Sequence, residues 1–91
     1  MNKKIIIASL RQEDDIKKVA DKYKKLGYIV DYPIKQPDKE LSRIIEDYLY
    51  KISLADSVVA ITKPDGTFGV GATYEIAFAR YLNKPITIIT V

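Results

Sequence analysis

The chain has 91 residues, of which 47% are hydrophobic and 30% are charged, with a net charge of +3. These values predict one globular domain, and no apolar run approaches the roughly 20 residues of a membrane span. The chain has no cysteine and no histidine, which excludes disulfides, thiolate chemistry and imidazole as a general base or zinc ligand. Catalysis would have to use carboxylates, hydroxyls, phenols, lysine or arginine. We expect no metal, no cofactor, no membrane association and a cytoplasmic location.

The first part of the chain predicts two strands separated by a helix. A continuous β-branched run predicts a buried strand over residues 4–10 rather than the start of a signal peptide, because charges follow it at once. Apolar residues at helical spacing predict a helix that opens at Asp14 or Asp15 and ends at Gly27. A second strand is predicted over residues 28–32.

The rest of the chain continues the alternation. A helix is predicted over residues 41–54, a strand over 57–61, a helix over 72–82 and a strand over 85–91. This order predicts a three-layer α/β domain of Rossmann or flavodoxin type that covers residues 1–91, with a parallel sheet between helices on both faces. Right-handed crossovers and one reversal of direction give the strand order 2-1-3-4.

The reversal in strand order lies between strands 1 and 3. Ligands of open α/β sheets bind beyond the carboxyl ends of the strands at such a point. The loops over residues 8–11 and 62–71 therefore meet there. Ser9 and Arg11 offer a hydroxyl and a guanidinium that can bind phosphate, although a turn serine and a surface arginine are the structural alternative.

A glycine-rich segment leads into the third predicted helix. Gly69 and Gly71 are separated by one residue, so the backbone can come close to a ligand, and the N–H groups at a helix start favour an anion. Tyr74 occupies the third glycine position of a dinucleotide fingerprint, and no Walker sequence is present. The pattern favours an anion-binding loop over a flexible turn.

Two carboxylates are candidates for chemistry. Glu75 is predicted in the first turn of the third helix, where the helix dipole would keep it ionised and suited to act as a nucleophile or a base. Its apolar neighbours over residues 76–79 predict that it is enclosed, which favours a functional role over a plain helix-start glutamate. Asp47, on the second helix, is the candidate second carboxylate, and a solvated helix charge is its alternative.

The lysines cluster around the first predicted helix, at Lys17, Lys18, Lys22, Lys24 and Lys25. Since the net charge is only +3, a solvated helix face is favoured over a nucleic-acid surface. A domain of this size would bury more surface by pairing, and we expect a homodimer.

Three segments in order carry a family resemblance: residues 55–61 (ADSVVAI), 69–79 (GVGATYEIAFA) and 83–86 (NKPI). They supply a glycine loop, a glutamate in a helix of the type Glu-aliphatic-small-aromatic-Ala, and a Lys-Pro that leads into the next strand. The chain resembles the nucleoside 2-deoxyribosyltransferase superfamily, and in particular its branch of 2′-deoxynucleoside 5′-monophosphate N-glycosidases. The resemblance extends over nearly the whole chain in element order.

The resemblance implies that Glu75 is the nucleophile that attacks C1′ of the deoxyribose. It also implies that Ser9, Leu10 and Arg11 bind the 5′-phosphate, because Ala-Ser-Leu-Arg is similar to the Gly-Ser-Ile-Arg segment of the monophosphate hydrolases. Asp47 lies within about one residue of the position of the family's second carboxylate.

The chain departs from the family at three points. Gly69 stands where the family usually has Asp or Ser, and Ile5 stands where a tyrosine is common. The sequence also predicts four strands where five are usual.

The sequence thus predicts an N-glycosidase that cleaves the base from 2′-deoxynucleoside 5′-monophosphates through a glycosyl-enzyme intermediate. The alternatives are a deoxyribosyltransferase that exchanges bases and a nucleotide-binding or sensing module without catalysis. A basic accessory protein that binds nucleic acid is the weakest of the alternatives.

Overall fold

A four-stranded parallel sheet forms the centre of the computed structural model, which describes residues 2–91. The elements in chain order are β1 (Lys3–Ile7), a 3-10 helix (Leu10–Gln12), α1 (Glu13–Lys25), β2 (Ile29–Asp31), α2 (Leu41–Leu54), β3 (Ser57–Ile61), α3 (Val70–Tyr81) and β4 (Ile86–Ile89). The strand order is β2-β1-β3-β4, and every neighbouring pair is parallel. The predicted α/β class, element order and strand order are confirmed.

The central strands bury both of their faces, as their continuous apolar sequences predict. On one face Ile5 and Val58 belong to the cluster that packs under α2 and α3. On the other face Ile6 and Val59 pack against α1. Since successive side chains of a strand point to opposite faces, one run of isoleucines supplies both cores.

Two helices end where the sequence predicts. Gly27, two residues after the end of α1, has a φ of +96°, a conformation that favours glycine. Asn83, after α3, has a φ of +58° and precedes the Lys-Pro that leads into β4.

Two predicted boundaries are wrong near the sheet's carboxyl edge. β1 ends at Ile7 rather than at residue 10, because Ser9 opens the 3-10 helix: its Oγ accepts a hydrogen bond from the Arg11 N–H at 3.3 Å. α3 begins at Val70 rather than at residue 72, with Gly69 as the residue that precedes its first turn. The loop after β1 is therefore longer than predicted, and α3 begins earlier than predicted.

No helix within residues 2–91 combines the length and apolar character that crossing a lipid bilayer requires.

Candidate active site

The loops that follow β1 and β3 lie together at the carboxyl edge of the sheet. β1 and β3 are hydrogen-bonded neighbours, from Lys4 opposite Ser57 to Ile7 opposite Ala60. Beyond the strands, the Gln12 side-chain amide donates to the Thr62 carbonyl oxygen at 2.7 Å and joins the two loops directly. The Oε1 atom of Gln12 is buried and has no hydrogen-bond partner among the described residues.

The cleft between these loops has a volume of about 630 Å³. One wall carries Ser9 and Arg11, and the opposite wall carries Lys63. The hydroxyl and the two cations provide donors for an anion such as phosphate. The first turn of α1 adds three carboxylates to the lining, those of Glu13, Asp14 and Asp15. The cleft therefore presents donors to an anion beside acceptors that suit hydroxyl or amino groups.

Leu10, the third residue of the predicted phosphate segment, faces a different space. It is partly exposed and lines an apolar cavity of about 260 Å³ with Tyr32 and Ile34. The turn after β1 thus contributes to two adjoining cavities, one polar and one apolar.

The start of α3 is open. Gly69 makes no side-chain cap, and its carbonyl oxygen accepts from the Thr73 N–H at 3.0 Å and from the Thr73 hydroxyl at 2.8 Å. The backbone N–H groups of the first turn have no partner within the helix. Gly69 and Gly71 both have ordinary negative-φ conformations, and a Cβ at either would meet no atom within 4 Å. Neither glycine is required by backbone geometry or packing, which leaves free space beside these N–H groups.

Glu75 is the sixth residue of α3, and its predicted place in the first turn is wrong because the helix starts earlier. It is half-buried, and burial raises its pKa to about 7. Near neutral pH the carboxylate is therefore only partly ionised, whereas the sequence predicts that it stays ionised. The helix dipole acts mainly on the first turn, so at the second turn the loss of water outweighs it.

Tyr48 of α2 lies buried near Glu75, and its hydroxyl donates to the Ile6 carbonyl oxygen of β1. Burial raises the pKa of Tyr48 well above its usual range, and the negative charges of Glu75 and Asp31 raise it further. The apolar stripe of α2 includes this tyrosine, so sequence spacing alone indicates a core residue. Its hydroxyl, which needs a buried acceptor, is the only signal in the sequence for a polar role.

Asp47 lies on another side of α2. Its neighbour Tyr48 points to the core, and successive helix residues are rotated by about 100°. The Lys39 ammonium donates to Asp47 Oδ2 at 2.7 Å, and this hydrogen bond and charge hold the pKa of the exposed Asp47 carboxyl below its usual range. The side chain that the structure brings near Glu75 is thus Tyr48, while the catalytic role of Asp47 stays a prediction.

The fold has known counterparts among solved structures. No protein-family model matches the chain, and no curated protein sequence matches it. The chain is similar to a 2-deoxyribosyltransferase from Leishmania mexicana, with a TM-score of 0.77 and 14% identity over 99% of this chain and 65% of that one. It is also similar to the CMP N-glycosidase BcmB from Clostridium botulinum, with a TM-score of 0.61 and 20% identity over 96% of this chain and 71% of that one.

The two neighbours are a 2-deoxyribosyltransferase and an N-glycosidase, the two kinds of enzyme that the sequence resemblance names. The resemblance predicted from the sequence is therefore confirmed at the level of the fold. The chain spans 65% of the length of the transferase. Identities of 14% and 20% support a shared fold and do not by themselves support a shared activity.

The raised pKa of Glu75 predicts a pH-dependent stability. The pKa is about 7 in the folded chain against a reference value of 4.5, so the folded state holds this proton more tightly. The associated stability is complete below pH 4.5 and is lost as the pH rises towards 7. Glu75→Gln, which is neutral throughout, should raise the free energy of unfolding at pH 8 by about 1–2 kcal/mol, a value reduced for partial solvent access.

Urea unfolding of both proteins at pH 4.5 and pH 8 measures this difference. The exposed Glu46→Gln on α2 is the matched control and should change neither curve. An equal effect of Glu75→Gln at both pH values would show that the Glu75 carboxylate is not destabilised by burial.

Proposed function

We propose that this chain is a nucleotide N-glycosidase that cleaves the base from 2′-deoxynucleoside 5′-monophosphates, with Glu75 as the nucleophile. The observation that carries the proposal is the half-buried Glu75 carboxylate with a pKa of about 7, one turn beyond an open helix start at the switch point of the sheet. A carboxylate near its pKa at neutral pH is partly ionised and weakly solvated, as a nucleophile should be. The folds of a deoxyribosyltransferase and a CMP N-glycosidase support the same class of chemistry.

The substrate's phosphate would be held by groups at the mouth of the site. Ser9 and Arg11 offer a hydroxyl and a guanidinium, and Lys63 faces them across the cleft. The free N–H groups after Gly69 and at Gly71 offer further donors on the α3 side. Binding the phosphate away from the reacting centre would orient C1′ towards Glu75.

The reaction would proceed in two displacements. Ionised Glu75 attacks C1′ while the bond from C1′ to the base nitrogen breaks, and the oxocarbenium character that develops at C1′ is stabilised by the carboxylate. The base leaves with a proton that Asp47 would relay from solvent, and a glycosyl ester forms on Glu75. Water then attacks C1′, which releases 2-deoxyribose 5-phosphate and regenerates the carboxylate.

Tyr48 and Asp47, which are adjacent in sequence on α2, would have different roles in this reaction. Tyr48 keeps its proton because of its raised pKa, so it adds no second charge beside Glu75. Asp47 is the proposed second carboxylate, and its ion pair with Lys39 would have to open before it could relay a proton to the leaving base.

Two alternatives remain candidates. If a second base enters before water, the same ester supports base exchange, the chemistry named for the Leishmania mexicana neighbour. The presence of Gly69 where the family usually has Asp or Ser favours a module that binds a nucleotide without turnover. We also propose that the protein acts in the cytoplasm as a homodimer.

The central test is base release. The four 2′-deoxynucleoside 5′-monophosphates are incubated with the protein, singly and with a free base, and the products are separated by chromatography. We expect base release that Glu75→Gln reduces by at least about a thousandfold, since the nucleophile is lost, and that Glu46→Gln leaves unchanged. The rate should rise with pH up to about 7, as Glu75 ionises.

The outcomes separate the candidates. Exchange without hydrolysis supports the transferase, and tight binding without release supports the sensing module. Release that persists in Glu75→Gln would overturn the role of this carboxylate.

Arg11→Ala should weaken the use of phosphorylated substrates. Loss of a charge-assisted hydrogen bond to phosphate should lower kcat/KM for a monophosphate about 10–100-fold. The corresponding deoxynucleoside, which has no phosphate, should be used equally by both proteins. Arg80→Ala, an exposed arginine in the last turn of α3, is the control. An equal loss on both substrates would contradict phosphate binding by Arg11.

Gly69→Asp tests the open helix start. The new carboxylate would cap the first N–H groups of α3 and repel phosphate, so KM for the monophosphate should rise about tenfold or more. Gly69→Ala should have little effect, because a Cβ at this position meets no atom within 4 Å. Thermal unfolding of both variants checks that the fold is kept. An unchanged KM in Gly69→Asp would show that the phosphate does not use these N–H groups.

A further inference from the structure

The positive charge of the chain is concentrated in one short segment. The net charge of +3 is the balance of 15 cationic and 12 acidic residues. Residues 17–28 hold five lysines and one aspartate, a charge of +4, so the rest of the chain carries a charge of −1. The net charge of the whole chain, which favours a plain solvated helix, therefore understates the charge of this segment.

The five lysines lie on one side of α1, and we call this surface the lysine face. It consists of Lys17, Lys18, Lys22, Lys24 and Lys25, all of which are exposed. At 100° per residue these positions span an arc of about 160°, opposite the buried side that Ile16, Val19 and Ala20 form. Between the first and the last of these lysines, Asp21 is the only carboxylate.

The helix dipole and ion pairing account for only part of the lysine face. Cations are favoured in the last turn of a helix, which holds three of the five lysines. Lys17 and Lys18 lie in the second turn, where that effect does not reach. Within residues 2–91, Lys17 is also the only one of the five that contacts a carboxylate, that of Glu13 at 3.6 Å. Most of the positive charge is therefore uncompensated.

A sixth lysine lies between α1 and the sheet. Lys4 of β1 is partly buried, and its ammonium lies 5.0 Å from the ring centre of Tyr23 and 4.6 Å from that of Tyr28. Its Nζ donates to the Ser57 hydroxyl at 3.0 Å, and no carboxylate within residues 2–91 pairs with it. Tyrosine rings and a hydroxyl hold the ammonium without cancelling its charge, so Lys4 adds to the positive potential of the lysine face.

The tyrosines beside the lysine face are covered by lysines. The Lys22 ammonium lies 5.8 Å from the ring centre of Tyr23. The Lys24 ammonium lies 5.1 Å from the ring centre of Tyr32. Tyr23 and Tyr28 pack edge to face with 5.7 Å between their ring centres, and all three tyrosines are partly buried. This surface thus offers ammonium groups to an anion rather than open aromatic rings on which unpaired bases stack.

We propose that the lysine face of α1 binds the phosphate backbone of double-stranded nucleic acid without regard to base sequence. A duplex carries one negative charge per roughly 1.7 Å of its axis, and the lysine face is about 12 Å long, so several lysines can each meet a phosphate. Lysine binds phosphate as a point charge. Arginine, asparagine and glutamine, which read base edges from a helix, do not occur in α1.

The lysine face is separate from the candidate active site. The cleft at the carboxyl edge of the sheet borders the first turn of α1, where Glu13, Asp14 and Asp15 are acidic. These three carboxylates repel a polyanion, so they keep a duplex at the C-terminal half of the helix. Binding at the lysine face therefore leaves the cleft open and is independent of nucleotide cleavage.

The first test is the salt dependence of duplex binding. A fluorescently labelled DNA duplex of about 20 base pairs is titrated with the wild-type chain, and its anisotropy is measured between 50 and 200 mM salt. The dissociation constant should be about 1–100 μM near 150 mM salt. If four lysines each neutralise one phosphate, log K should fall against log salt with a slope of about −3.6. A duplex of scrambled sequence should bind equally well.

The second test removes charge from the lysine face. The triple variant Lys18→Gln, Lys22→Gln and Lys25→Gln keeps the helix propensity of lysine and loses three cations. It should reduce the salt slope by about 2.7 and weaken binding by about 100-fold at 50 mM salt. Asp21→Asn removes the one carboxylate of this surface and should tighten binding by about threefold or more.

A matched control removes the same amount of charge elsewhere. Arg43, Lys51 and Arg80 are exposed on α2 and α3, which cover the opposite face of the sheet from α1. Their joint replacement by glutamine also lowers the net charge of +3 to zero, yet it should leave the salt slope unchanged. Circular dichroism of both triple variants confirms that they are folded.

Four results would overturn the proposal. They are no duplex binding at 50 mM salt, an equal loss in both triple variants, no tightening by Asp21→Asn, and binding to vesicles of phosphatidylserine and phosphatidylcholine without binding to the duplex. The last result would assign the lysine face to an anionic lipid surface instead.

Discussion

β1 and β3 lie side by side in the middle of the sheet, and this pairing determines where every other part of the molecule can be. Because the chain leaves β1 towards one edge and returns to place β3 on the other side of it, α1 covers one face while α2 and α3 cover the other. The loops that follow the two strands then have to share the carboxyl edge. The Ser-Leu-Arg turn after β1 and the start of the loop after β3 are thereby brought to the same edge, where Gln12 is hydrogen-bonded to Thr62.

The chemistry at this edge follows from a competition between water and charge. Glu75 lies in the second turn of α3 and is half-buried, and the buried Tyr48 lies near enough to be affected by its charge. Among residues 2–91 no cation offsets that burial, so the pKa of Glu75 rises to about 7. Asp47 shows the reverse case, since its carboxylate is exposed and paired with Lys39. The pKa values of two carboxylates on neighbouring helices are thus shifted in opposite directions. Glu75, whose pKa is raised, is the carboxylate that belongs to the helix after β3.

Much of the fold could be predicted from the sequence because its signals are local and periodic. The isoleucine run of β1, the spacing of apolar residues in α1 and the positive-φ Gly27 each indicate their element without tertiary information. The strand order needed only the handedness of crossovers in addition. The boundaries at residues 8–10 and 70–71 could not be predicted, since a serine that caps a 3-10 helix and a valine that enters a helix after glycine have no strong sequence signal.

The candidate site was less predictable because burial decides its properties. The sequence predicts that Ser9, Arg11 and the glycine loop follow the carboxyl ends of their strands. The protonation of Glu75, in contrast, depends on how much protein surrounds its carboxyl group. The side of α2 that faces Glu75 depends on helix rotation, and a difference of one residue separates Tyr48 from Asp47. The ion pair between Asp47 and Lys39, eight residues earlier, could not be predicted, because Lys39 lies in an irregular loop whose path no sequence periodicity indicates.

The bond between the Gln12 amide and the Thr62 carbonyl has a consequence for selectivity. The strands fix the spacing of the sheet, but beyond their ends a flexible side chain rather than backbone pairing spans the gap. The separation of the two walls is thus governed by how far one glutamine reaches. Exchange of that residue could admit larger or smaller occupants while the architecture beneath stays the same.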